Sequence, residues 1–61
     1  MITSFSTMER AQLADLLVLI RSAVGFGYSV SDAATNIGQF YNYVRADVWS
    51  HAIAIATAEV G

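Results

Sequence analysis

The chain contains no cysteine and no proline, and its only basic residues besides His51 are Arg10, Arg21 and Arg45. Without cysteine there is neither a disulfide framework nor thiol chemistry, which leaves the redox compartment open and removes one way of stabilising a small chain. Without proline, no helix need be broken by a missing amide. Charge is scarce: 13% of the residues are charged and the net charge is -2, where about 25% charge is usual in globular domains. Three cations against five acids offer no electrostatic footprint for a nucleic-acid backbone or an anionic lipid surface. Long apolar runs are also missing. A spanning helix needs about 20 predominantly apolar residues. The longest stretch free of charge, Ala33 to Val44, has 12 residues and includes Thr35, Asn36, Gln39 and Asn42, so transmembrane insertion is not expected. The opening Met1-Ile2-Thr3-Ser4-Phe5-Ser6-Thr7 has neither the basic region nor the apolar core of a secretory signal. A cytoplasmic location is the expectation.

What the chain has in quantity is apolar surface, with 56% hydrophobic residues in a length of 61. That length makes one domain at most, over residues 1–61. A domain of this size buries only about 60% of the surface its unfolded chain exposes, so partner subunits commonly complete it.

Local signals divide the chain into helical blocks. Ser6-Thr7-Met8-Glu9 fits a capping box, in which the Ser6 hydroxyl accepts from the Glu9 amide and the Glu9 carboxylate accepts from the Ser6 amide. The good helix formers that follow predict a first helix over Thr7 to Val24, ended by Gly25-Phe26-Gly27. An N-terminal arm over residues 1–6 is the segment expected to fray. Ser29-Val30-Ser31-Asp32 supplies capping side chains, and a second block runs from about Ser31 to Val60. Within it, Gly38 costs about 1 kcal/mol relative to alanine if helical. A break there gives a short helix from Ser31 to Ile37, a turn at Gly38-Gln39 and a third helix from about Phe40 to Val60. The alternation in Ala52-Ile53-Ala54-Ile55-Ala56 resembles a strand, but a lone strand in a helical chain has nothing to pair with. The expected fold is all-α: a helical hairpin or a three-helix unit, completed by oligomerisation.

Periodicity assigns the faces. Leu13, Leu16, Leu17, Ile20 and Val24 recur at three- and four-residue spacing, and Ile37, Tyr41, Val44, Val48 and Ile55 mark the mating seam. Apolar residues remain on other faces. Ala11, Ala14 and Val18 form a second line on the first helix, and Trp49, Ile53, Ala56 and Val60 form one on the last. A two-helix hairpin cannot bury both lines, so these seven residues are the expected protein interface, with Trp49 as its anchor.

Chemistry is sparse. Asp47 precedes the single His51 by one helical turn, so the carboxylate can orient the imidazole. Two groups do not make a catalytic or metal site, and Ser50 points elsewhere on the helix. The first glycine pair lacks the lysine of a phosphate-binding loop. No enzyme activity, metal or cofactor is expected. Tyr28, Phe40, Tyr41, Tyr43 and Trp49 with Arg45 invite base stacking, against which the net charge argues.

The segment Val30 to Val48 is similar to a helix-turn-helix, with small Ala34 and Gly38 four residues apart before the turn and Val44 as a following core position. It departs from that pattern at Gln39, where an apolar residue is usual, and in having Arg45 as its only cation beside Asp47. The resemblance covers about a third of the chain and implies, as the alternative function, a small DNA-binding regulator. The main expectation is a helical protein-binding or self-assembly subunit, whose partner is a second copy or another chain. Its small size suits a viral accessory or structural protein, including a virion component.

Overall fold

The computed structural model describes residues 5–60, so the first four residues of the expected arm and Gly61 lie outside the described part. It contains three helices, α1 (Thr7–Gly25), α2 (Val30–Gly38) and α3 (Ala46–Val60), and no strand among the described residues. The second block is therefore broken at Gly38, and the alanine-rich end is helical.

The start of α1 is built as its sequence requires. The Ser6 amide donates to Glu9 Oε1 at 2.9 Å and the Glu9 amide donates to Ser6 Oγ at 3.1 Å, so two otherwise orphaned amides are satisfied reciprocally. Of the expected arm, Ser6 caps the helix and Phe5 packs against the core. At the other end the Tyr28 amide donates to the Ala23 carbonyl at 3.1 Å and the Gly27 amide to the Val24 carbonyl at 3.0 Å. This six-to-one and five-to-two pair of bonds is a Schellman motif, which needs a left-handed residue between them. Gly27 supplies it, with φ 104°.

Ser29 caps α2 by accepting from the Asp32 amide at 3.0 Å. The helix ends at Gly38, but a third helix does not start at Phe40 as expected. Phe40, Tyr41, Asn42 and Tyr43 are not helical, consistent with the modest helix propensity of aromatics and asparagine. Helical bonding resumes where the Trp49 amide donates to the Arg45 carbonyl at 3.1 Å.

Two ion pairs give the direction of the helices. Glu9 and Arg45 meet near the starts of α1 and α3, and Arg21 and Glu59 meet near their ends. α1 and α3 therefore run parallel, and α2 with the connection over residues 39–45 carries the chain back between them. A hairpin of two antiparallel helices is excluded by this topology. The core takes Leu16 and Ile20 from α1, Ala33 from α2, Val44 from the connection, and Val48, Ala52 and Ala56 from α3. The four-residue spacing of 48, 52 and 56 puts one side of α3 inward. Leu13, Leu17, Val24, Ile37 and Tyr41 pack around it half-buried. Ile55, expected in the seam, is half-buried outside this cluster, because alanines at 52 and 56 occupy the inward positions.

Gly27 and Gly25 give a matched test. Neither has a neighbouring atom within 4 Å of an added Cβ. Only Gly27 has positive φ. Gly27→Ala should cost about 1–2 kcal/mol through the left-handed backbone, whereas Gly25→Ala, in the last turn of α1, should be neutral or stabilising by up to about 1 kcal/mol. Urea unfolding of the two variants measures the difference.

Candidate protein-association surface

Asp47 and His51 are not brought together. Asp47 Oδ1 accepts from its neighbour's amide, Val48, at 3.0 Å, and lies 3.3 Å from Arg45 Nε. It is thus turned to the start of its own helix, where a carboxylate is favourable, and not to His51. The His51 ring instead meets Phe5 edge to face, with centroids 5.5 Å apart. Arg45 also reaches Glu9 Oε2 at 3.4 Å, so Glu9 uses one oxygen to cap α1 and the other to face α3. No group of three metal-ligating side chains occurs among the described residues.

At the opposite end the Arg21 guanidinium binds the Glu59 carboxylate through two nitrogens, with Nε 2.9 Å from Oε1. The hydrogen bonds from Arg21 hold the Glu59 carboxyl below its ordinary value, and those to Glu59 raise the Arg21 guanidinium above its own. Both groups are open to solvent, so the pair is screened by salt and is a tether rather than a buried site.

The seven residues expected at an interface fall into three environments. Ala11, Ala14 and Val18 are exposed on α1, with Val18 62% exposed. Val60 is 62% exposed at the end of α3, while Ile53 is half-buried and Ala56 belongs to the core at 2%. The line Trp49, Ile53, Ala56, Val60 is therefore not one open stripe: Ala56 shares the inward face of α3 with Val48 and Ala52. Trp49 has an intramolecular post. Its Nε1 donates to the Tyr41 carbonyl at 3.1 Å, and its ring lies 4.0 Å from where a Cβ on Gly38 would sit. The indole thus closes the corner between α2 and α3.

The larger exposed apolar groups sit at the two ends of the bundle. Met8, Phe40 and Tyr43 lie at the end where α1 and α3 begin, and Phe26, Tyr28 and Val60 at the end where they finish. Sequence periodicity does not find such residues, because most of them lie in connections. Their signal is composition instead, bulky aromatics placed beside glycines and turns. The helix-turn-helix alternative joins its helices through three or four residues. Here seven residues, 39–45, separate α2 from α3, and the helix that would read DNA begins with Ala46 and Asp47.

No helix among the described residues is long and apolar enough to cross a membrane. Comparison of the chain with protein-family models, with curated proteins and with solved structures finds no match.

Two measurements follow from this geometry. Trp49→Phe keeps most of the apolar contact but leaves the Tyr41 carbonyl without its donor. It should lower the stability of the single chain by about 0.5–1.5 kcal/mol, measured by urea unfolding at low protein concentration; an indole that served only an intermolecular contact would leave that value unchanged. The Arg21–Glu59 pair predicts a pH dependence. Because the folded Glu59 carboxyl is held below its ordinary value near 4.5, its contribution is present above that value and is lost as pH falls through the lowered one. The stability gap between wild type and Glu59→Gln should therefore close on acidification, and narrow at neutral pH in high salt.

Proposed function

We propose that this chain is a small non-enzymatic helical subunit that works by binding protein, as further copies of itself or as another chain, through apolar surface its own core leaves uncovered. One observation carries the reading. Among the described residues Leu16, Ile20 and Val48 are the large side chains that are fully buried, while Met8, Val18, Phe26, Tyr28, Phe40, Tyr43 and Val60 are at least half exposed. Burying such a side chain is worth about 1.5–3 kcal/mol, which a partner's surface would gain at each of these places. Asp47 and His51 each have a different partner and are not paired with each other. A cytoplasmic location and a structural or accessory role, including in a virion, fit a subunit of this size.

Light scattering over a micromolar to millimolar series tests it. The expected result is a mass that rises above that of one chain. Val18→Asp, at an exposed position, should lower the mass without changing the unfolding temperature. A monomer throughout the series restricts the reading to a different protein partner, to be captured on immobilised wild type and lost on exposed-residue variants. A chain that associates with no protein but binds duplex DNA with salt-sensitive, Arg45-dependent affinity overturns the reading in favour of the DNA-binding alternative.

A further inference from the structure

Resting on the self-assembly form of that reading, we propose that two copies of this chain associate through the outer face of α1, with the two α1 helices parallel and in register. Leu16 and Ile20 mark the side of α1 that packs into the bundle. The opposite side carries Ala11, Ala14 and Val18, all exposed. In a seven-residue frame Ala11 and Val18 take the first position, a, and Ala14 the fourth, d, the two positions that line a helix–helix seam. The flanks of this line carry opposite charges. Arg10 falls at g on one flank and Asp15 at e on the other, with Met8, 72% exposed, one repeat before Asp15.

Two observations single out that pair. Arg21 is bound to Glu59, and Arg45 to Glu9 and Asp47, whereas neither Arg10 nor Asp15 forms an ion pair with another described residue. Within one chain they cannot meet, because they stand on opposite sides of the apolar line. Between parallel helices in register, a g side chain lies beside the partner's e side chain five positions further on, and such pairs set partner choice and orientation. Asp15 follows Arg10 by that spacing. A single contact therefore forms two symmetry-related pairs between Arg10 of one copy and Asp15 of the other. Antiparallel helices place g against g and e against e, which brings like charges together, so the charge pattern selects the parallel arrangement. The small side chains at 11 and 14 let the two backbones approach closely, and Val18 supplies the largest apolar contact on the seam.

The test uses the full chain with Arg10→Asp, Asp15→Arg and the double reversal, followed by sedimentation equilibrium over a concentration series. Both positions are exposed and outside the core, and far-UV circular dichroism checks that each variant remains folded. Each single reversal turns two attractive pairs into repulsive ones and should weaken the dimer by roughly tenfold or more. The double reversal should restore it, and added salt should weaken the wild-type dimer. Wild-type affinity in both single variants overturns this arrangement while leaving self-association through another surface standing. Antiparallel packing sets each of the two residues against its own copy, so single reversals keep like charges opposed and leave the affinity unchanged, which overturns it as well. A wild type that is monomeric up to millimolar concentration overturns both the arrangement and the self-assembly on which it rests.

Discussion

The parallel course of α1 and α3 is the constraint on which the remainder of the molecule depends. Two parallel helices in one short chain require a return path, and here residues 26–45 must span the distance from the end of α1 to its beginning. α2, with 9 residues, covers only about 13 Å at 1.5 Å per residue. The separation of Glu9 from Arg21 along α1 is about 18 Å on the same scale. The connection over residues 39–45 makes up the difference, and so it cannot be a tight turn. Its irregular backbone needs anchoring, which Val44 provides by burial and Trp49 by binding the Tyr41 carbonyl. The tryptophan is drawn into the interior by the topology and not by its hydrophobicity alone.

Local features of the fold were legible in the sequence where one short segment decides the outcome. The capping box at Ser6 and Glu9 and the glycine-based stop after α1 depend on side chains within a few residues of each other, and both formed as read. The Leu16, Ile20, Val44 and Val48 core was also readable, because a helix face repeats at fixed spacing. What could not be read was the direction of the last helix. The ion pairs that report it join residues more than 35 positions apart, and periodicity is blind to whether two faces meet parallel or antiparallel. The inward side of α3 is offset by one residue from the expected seam, so that Ala56 stands where Ile55 was expected. Trp49 shows a related limit. Its size marked it as an anchor, but the acceptor that holds it, a main-chain carbonyl eight residues away, leaves no mark in the sequence.

A core with alanine at three of its seven buried positions, Ala33, Ala52 and Ala56, holds its helices close but contributes little apolar area per residue. The larger aliphatic and aromatic groups are correspondingly displaced to the ends of the bundle and to the outer side of α1. Small residues set the spacing within the chain, and many of the bulky ones stand in solvent.

Glu9 links two helix starts that are distant in sequence. Its Oε1 takes part in the cap of α1 and its Oε2 faces Arg45, whose carbonyl accepts the first bond of α3. Opening either turn fully gives up the contact between Glu9 and Arg45, so one exposed carboxylate joins the two helix starts, as Glu59 with Arg21 joins the far ends of the same helices.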